Sequence, residues 1–448
     1  MYKIALILIL ITMVLFPEIP LDGFPDIRVE DLVLFVLLLV AIKNYLFNKF
    51  LYNKNKINKY FFLFASSILI SILYAVIVKN YYPIARDFFE FIKVFKYFAI
   101  FALISSYKFT EKELKHIFYL TLVLFSVNSF VAIFQFFNFF NINSLAHIYT
   151  DTQIRNLIVN KRVFGTYGNS NYFGASLMLP LALAFVRFLN IKRKQYIYIL
   201  LIILYTIAIV MTNSRAALIM YLTVLFFSLI FNYTRELNLR MYIFKSITIM
   251  LCALILLIGL ISVMPGNSSN RILSLIPIID HDGDVQNERI EDNDRYGEAD
   301  GIDVEINDTS LNKRMFLWKD TIDKWKESII FGWGPGKRSM RRFVDGEWFL
   351  LLRRYGLLGI TIFLFWMGRI FLDMRRFHGE YSGYSRIFAL SVRVLVIAYL
   401  MFMIPAQLFH SIRLMSLFMF CTALVYSQNS KRKELKYEGI NFISPISK

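Results

Sequence analysis

"YIYILLIILYTIAIVMTNSRAALIMYLTVLFFSLIFN", residues 196–232, contains two apolar runs without a single charge, parted by four polar residues. Each run approaches the length an α-helix needs to cross a bilayer, and TNSR (212–215) leaves room only for a tight turn. The stretch therefore reads as a membrane hairpin, and the same pattern extends in both directions. Spans are expected near 4–16, 31–48, 60–78, 91–106, 117–139, 171–190, 196–211, 216–232, 246–264, 348–371, 387–408 and 412–428, about twelve in all. The fold class so predicted is all-α: a polytopic membrane protein with one large extracytoplasmic loop before the tenth helix. Composition agrees, since 57% of the 448 residues are hydrophobic and only 18% charged, more apolar surface than a soluble domain needs.

Orientation follows from where the basic residues fall. Lys43, Lys49, Lys54, Lys56, Lys59, Lys108, Lys112 and Lys115 share one side with "RFLNIKRK" (187–194), "DMRRF" (373–377) and "SKRKELK" (430–436). The positive-inside rule makes that side the cytoplasm and puts both termini there. It also explains the net charge of +18 without nucleic acid as a partner. "MYKIALILILITMVLF" (1–16) resembles a signal peptide but lacks a small-residue cleavage site before "PEIP" (17–20), so it is expected to remain as a first helix. Cys252 and Cys421 lie within apolar runs and suggest neither a disulfide nor a metal site.

The chain thus divides into a membrane bundle (1–264), an outer loop (265–347), a second set of membrane helices (348–428) and a basic cytoplasmic tail (429–448). Within the loop, residues 280–308 are acidic and aperiodic, as in a solvated tether. Their "DGD" (282–284) resembles a metal-binding glycosyltransferase signature that could hold calcium, but in so acidic a run the match carries little information. Residues 311–330 read as an amphipathic helix with Met315, Leu317, Trp318, Ile322, Trp325 and Ile329 on its apolar side, followed by the glycine-rich "FGWGPGKRS" (331–339).

Arginines recur on the outer side, against the topology bias: Arg28, Arg86, Arg155, Arg162, Arg215, Arg314, Arg341, Arg342 and Arg413. Arg28 has Glu30 and Asp31 nearby, and Arg86 has Asp87 and Glu90, so local pairing accounts for these two. Arg162 and Arg215 have no acid beside them in sequence. Snorkelling to lipid phosphates is one account. The other is an anionic ligand, because the guanidinium fork gives phosphate two parallel charge-assisted hydrogen bonds. Arg162, Arg215 and Arg314, with Arg354, are the candidates for holding a lipid pyrophosphate. "KRVFGTYGNSNYFGASLML" (161–179) adds Asn169 and Asn171 as candidate substrate ligands, and Gly165, Gly168 and Gly174 for close backbone approach. Ser170 or Asn171 is expected to cap the sixth span.

"MRRFVDGEWFLLLRRYGLLG" (340–359) re-enters the membrane with charges on both sides of an apolar start. Asp345 reads as an N-cap with Glu347 in the first turn. Glu347 and Arg354, seven residues apart, share a helical face. Either acid, held among arginines, could take the proton from a sugar hydroxyl. Arg341 and Arg342 would meet the interface or a glycan. Arg353 and Arg354 lie about two turns into the helix, where at least one should face a polar cavity.

Four stretches, "RVFGTYGNSNYFGA" (162–175), "TNSRAAL" (212–218), "KRMFLWKDTIDKWKESIIFGWGPG" (313–336) and "DGEWFLLLRRYGLLG" (345–359), make the chain similar to the O-antigen polymerase and ligase family of bacterial envelope biosynthesis. The resemblance covers most of the chain, from "IRVEDLVLF" (27–35) onward. It implies a GT-C-like membrane glycosyltransferase acting at the outer face of the bacterial cytoplasmic membrane, with no cofactor. Its donor would be a glycan on undecaprenyl pyrophosphate, its partners lipid-linked oligosaccharide and membrane lipids, with a chain-length regulator as a candidate protein partner. The resemblance assigns Arg162, Arg215 and Arg314 to the donor pyrophosphate. Family ligases carry a base histidine eleven residues before a Gly-x-x-Gly; here that place, counted from Gly356, is Asp345, which favours polymerase over ligase. A flippase or ion-coupled transporter ranks third, since the charges gather at one surface and no inverted repeat is visible.

Overall fold

The computed structural model describes residues 2–19, 27–48, 57–150, 153–190, 196–232, 310–336, 346–409 and 411–437. The expected ninth span (246–264), the acidic insert (280–308) and the stretch 337–345 lie outside the described residues. Within them the chain is helical: α1 (Tyr2–Leu15), α2 (Val29–Asn48), α3 (Asn58–Lys79), α4 (Ala85–Ser105), α5 (Glu111–Phe137), a 3-10 helix (Phe139–Ile148), α6 (Ile154–Ile158), α7 (Ser170–Ser176), α8 (Met178–Asn190), α9 (Tyr196–Met211), α10 (Arg215–Asn232), α11 (Ser310–Lys326), α12 (Glu347–Glu380), α13 (Gly383–Phe402) and α14 (Ile412–Tyr437). The exception is a two-residue antiparallel ladder, β1 (Glu18–Ile19) with β2 (Ile27–Arg28), which pairs Glu18 with Arg28.

Each expected span within the described residues coincides with a helix. Among the described residues, six helical segments are long and apolar enough to cross a membrane: α3, α5, α7 with α8, α10, α12 and α13. Shorter apolar helices cover 4–15, 196–211 and 412–428. Large apolar side chains such as Phe62, Leu73, Ile77, Val123, Leu222 and Phe365 are exposed, as suits helices whose outer solvent is lipid. Inside, Phe61 and Phe64 of α3 meet Phe363 and Trp366 of α12, with Phe409 closing the cluster from the α13–α14 turn. Packing rather than water exclusion must hold such contacts together in a bilayer.

Two local features shape the two ends of the bundle. The first is the start of α5, a Thr-x-x-Glu box. Thr110 Oγ1 accepts the Glu113 amide at 3.3 Å, and the Glu113 carboxylate accepts the Thr110 amide at 2.8 Å. The second is a break in α12 at Gly356, whose backbone (φ 60°, ψ −163°) leaves the helical region. The freed backbone groups are taken up by the segment C-terminal to α11. Leu357 and Leu358 donate to the carbonyls of Ile329 and Ile330 at 2.9 and 3.1 Å, while Trp333 donates to the Arg353 carbonyl at 2.8 Å. Away from water such groups cannot go unpaired. The two glycine-rich stretches of the sequence are therefore the two sides of one backbone contact, Gly332 against Arg354 and Gly356 against Ile330. Ser71 Oγ donates to the Phe331 carbonyl at 2.6 Å and ties this contact to α3.

Candidate functional site

The first half of the site is built from the 161–176 stretch and the α9–α10 turn. Arg162 Nη2 lies 3.2 Å from Asn171 Oδ1, and Nε lies 3.5 Å from the Thr212 carbonyl. The same Asn171 oxygen accepts from Ser214 Oγ at 2.8 Å, and Ser214 Oγ in turn accepts the Ala217 amide at 3.2 Å, capping α10. Arg215, the first residue of α10, is half-buried beside this triangle. The Asn213 amide is buried, and among the described residues neither its oxygen nor its nitrogen has a hydrogen-bond partner. Lys161 and Asn213 both hold left-handed backbone (φ 49° and 51°). Asparagine tolerates that conformation and lysine less so, which marks a turn shaped by its surroundings.

Asn169 differs from expectation. Its Oδ1 accepts the Asn171 and Tyr172 amides at 2.9 and 3.3 Å, so Asn169 caps α7, in place of Ser170 or Asn171. Of the two candidate asparagines, Asn171 is the one whose side chain reaches Arg162. The expected close approaches are present. A Cβ on Gly174 would stand 2.5 Å from Ala217, and one on Gly165 2.3 Å from Asn128 Oδ1. The start of the loop between them, Gly165–Tyr167, is buried and held by α5. Gln135 accepts the Phe164 and Gly165 amides, and Asn128 both donates to and accepts from Thr166. Sequence reasoning missed these two α5 residues. Their signal was available, since two amides seven apart in an apolar span lie on one face.

The second half surrounds the start of α12. Its N-cap is Gly346, one residue later than expected, and Glu347 is the first helical residue. Glu347 is fully buried, and its amide donates to the carbonyls of Met403 and Ala406 at 2.8 and 3.2 Å. Arg353 and Arg354 are both buried, and each meets an acid. Arg353 Nη1 stands 3.7 Å from Asp320 of α11, and Arg354 Nη1 stands 3.6 Å from Glu90 of α4. Trp318 of α11 stacks on Phe349 at 4.7 Å between ring centres, so part of the expected apolar side of α11 meets α12, while the helix ends at Lys326, short of the expected 330, and Ile329 is exposed. The Lys326 ammonium beside Asp323, on the solvent side of α11, holds that carboxyl below the usual range.

The turn between α13 and α14 joins the halves. Met403 and Ala406 receive the Glu347 amide, and the Phe409 carbonyl receives the Tyr97 hydroxyl at 3.0 Å. Arg413 gives its guanidinium to the carbonyls of Thr166 (2.6 Å) and Phe16. The Tyr97 ring also meets Phe409 edge-on at 5.6 Å between ring centres. Beside it, Arg28 pairs with Glu18 across the β ladder and stands 3.8 Å from Glu30, while Lys96 pairs with Asp31. The expected pairing of Arg28 with Glu30 is present; Asp31 instead accepts the Arg28 amide at 3.1 Å. Asp87 accepts from Tyr81 and from the Ile84 amide, and Glu90 serves Lys93 and Arg354; the Arg86 side chain lies outside the description.

Arg341, Arg342 and Asp345 also fall outside the described residues. Arg314 is placed in α11 by its backbone, and its side chain is not described. Among the described residues no group of three or more His, Cys, Asp or Glu could hold a metal ion.

Residues 198–349, about a third of the chain, match the family model described as O-Antigen ligase. The match begins in α9 and ends just inside α12. It includes Arg215, Arg314, Arg341, Arg342, Asp345 and Glu347, and leaves Arg162, Asn169, Asn171 and Arg354 outside it. No curated protein matches the chain. The apolar helices and the family match together support a multi-pass bacterial membrane protein of polysaccharide biosynthesis, an enzyme that processes lipid-linked glycan.

Proposed function

We propose that this protein polymerises oligosaccharide repeats carried on undecaprenyl pyrophosphate, for O-antigen, capsule or exopolysaccharide, at the outer face of the cytoplasmic membrane. A growing glycan on the lipid pyrophosphate is the donor, and a single lipid-linked repeat is the acceptor. The acceptor hydroxyl attacks the anomeric carbon of the donor and forms the glycosidic C–O bond. The bond to the pyrophosphate breaks, its electron pair leaves with the lipid pyrophosphate, and the hydroxyl proton passes to a carboxylate. Asp345 is the preferred acceptor of that proton, because Glu347 is fully buried with its amide fixed to the α13–α14 turn. Arg162 and Arg215, with Arg314, stabilise the charge that develops on the leaving pyrophosphate. Arg341 and Arg342 contact the glycan.

The observation that supports this most is the triangle of Arg162, Asn171 and Ser214 beside Arg215. It draws two arginines from separate stretches of sequence to one place, with the unpartnered Asn213 amide next to them. Alanine at Arg215 is expected to abolish polymer while the protein still inserts in the membrane. Full-length polymer from that variant refutes the assignment. The family description itself favours a second reading, a ligase that passes finished glycan to another acceptor. Deletion separates the two. Loss of a polymerase leaves single repeats attached downstream, and loss of a ligase leaves long chains on the carrier.

A further inference from the structure

From Ile117 to Thr150 the chain carries no Asp, Glu, Lys or Arg, although α5 ends at Phe137. The helix from Ile117 to Phe137 rises about 30 Å at 1.5 Å per residue, the thickness of the hydrocarbon core. Its far end, opposite Lys108, Lys112 and Lys115, is the outer one by the positive-inside rule. Val123, Val127, Phe130 and Phe137 follow one another at helical spacing and are all exposed, so they form the lipid face of α5. Asn128 and Gln135, on another face, hold the 161–169 loop. Phe137 stacks on Phe139 at 5.3 Å, and Phe134 meets Phe139 and Phe140 at 5.8 and 6.1 Å, so the lipid face continues into the 3-10 helix. Phe140 is 94% exposed and holds left-handed backbone (φ 55°), a conformation uncommon for a bulky side chain. Leu145 and Ile148 are exposed in the same segment.

Water is a poor cover for a run in which Phe139, Phe140, Leu145 and Ile148 are all exposed. A protein partner would find no Asp, Glu, Lys or Arg here for the polar rim of an interface. The bilayer boundary suits both the aromatic rings and the uncharged polar residues between them. Among the latter, Asn138 Oδ1 accepts the Asn143 amide at 3.2 Å and Ser144 Oγ donates to the Asn141 carbonyl at 2.8 Å, which closes the turn within itself. We infer that residues 137–148 lie in the plane of the outer leaflet, at the boundary of acyl chains and headgroups, as a foot on the end of α5 with Phe139 and Phe140 in lipid. The foot sets the depth of the loop behind it. Tyr149, which follows it, donates from its hydroxyl to the Leu15 carbonyl at 3.1 Å, and its own carbonyl stands where a Cβ on Gly168 would come within 2.5 Å. Contact of the foot with lipid does not depend on the glycan chemistry.

The test uses the full chain with Cys252→Ala and Cys421→Ala, in phosphatidylcholine nanodiscs whose lipid carries a nitroxide either near the headgroup or near the tail of an acyl chain. A nitrobenzoxadiazole label is placed at Phe140→Cys and, in a separate variant that stands in if the first does not fold, at Leu145→Cys. Val127→Cys, halfway along the lipid face, and Asp323→Cys, on the solvent side of α11, are the deep and aqueous references. Labels at 140 and 145 are expected to emit to the blue of the label at 323 and to resist aqueous iodide. The shallow nitroxide should quench them more than the deep one, with the order reversed at 127. Iodide quenching equal to that at 323 puts the segment in water and overturns the inference. So does blue emission without nitroxide quenching, which puts it against a second copy of the chain, and so does stronger quenching by the deep nitroxide. A label at Lys161→Cys reads the loop: Phe140→Asp should lower its ratio of nitroxide to iodide quenching, and an unchanged ratio refutes the depth-setting role.

Discussion

Gly356→Ala tests the break in α12 directly. A glycine with φ 60° and ψ −163° occupies a region that L-residues avoid, so a methyl there costs about 1–3 kcal/mol in backbone strain alone. The added Cβ would also stand 2.3 Å from the Ile330 carbonyl oxygen and 2.7 Å from the Gly332 nitrogen, both backbone atoms with no side-chain freedom to yield. The segment after α11 must withdraw, and three hydrogen bonds go with it: Leu357 to Ile329, Leu358 to Ile330, and Trp333 to Arg353. At about 1 kcal/mol each, the total loss comes to about 4–6 kcal/mol, a large part of the stability of a typical fold.

The assay is thermal unfolding of the purified protein in detergent, with Gly368→Ala as the control. Gly368 lies in the same helix, and nothing stands within 4 Å of a Cβ built there. Alanine at that position should be neutral or stabilising by up to about 1 kcal/mol. Gly332→Ala should mimic Gly356→Ala, since its Cβ would stand 2.5 Å from the Arg354 carbonyl. The double variant should be little worse than the worse single, because both remove one contact. If Gly356→Ala melts with the wild type, or Gly368→Ala falls as far, the docked backbone does not hold the break.

Two further outcomes concern the site. Asn171→Asp would pair with Arg162 across the present 3.2 Å contact and draw its charge away from substrate, so polymer synthesis should fall about a hundredfold, on the scale of losing one charge-stabilising donor; an unchanged rate in a reconstituted assay makes the Arg162 contact purely structural. Glu90→Ala should destabilise the fold by about 3–5 kcal/mol by stripping a buried guanidinium of its acid, and adding Arg354→Met should restore part of that loss; strict additivity in the melts would show that the pair does not act as one.

What the sequence disclosed depended on the range over which each cause acts. Apolar runs set helices locally, and the described helices stand where hydropathy put them. Arg28 beside Glu30 was readable because the two are neighbours in the chain. Glu18, the tighter partner of Arg28, was hidden because a β ladder folds it back. Arg354 and Glu90 come from distant spans, and no local pattern links them. "GLLG" and "FGWGPG" were each visible as glycine-rich, but that one clasps the other is a fact of backbone geometry. The cap shifted to Asn169 for a similar reason. Ser170, Asn171 and Asn169 all suit a helix start, and the draw of Asn171 toward Arg162 and Ser214 decides among them.

The arginines around the candidate site thus separate by the chemistry of what holds them. Arg28, Arg353 and Arg354 are set against carboxylates, and Arg413 against two main-chain carbonyls, of which Thr166 fixes the 161–169 loop to α14. Pulling Arg354 toward a ligand would take a cation from buried Glu90, and pulling Arg413 would strip two main-chain carbonyls of their donor, which is costly. Arg162 reaches an amide oxygen and a carbonyl, dipoles that orient a guanidinium toward the α9–α10 turn. A cation oriented in this way can still respond to negative charge that appears only as a bond breaks, which is the condition for stabilising a transition state more than a bound substrate. On this ground Arg354 moves from the pyrophosphate ligands to the framework that positions α12, and its removal should cost stability before it costs turnover. Arg162 should show the reverse order, with turnover lost in a protein that melts as the wild type does.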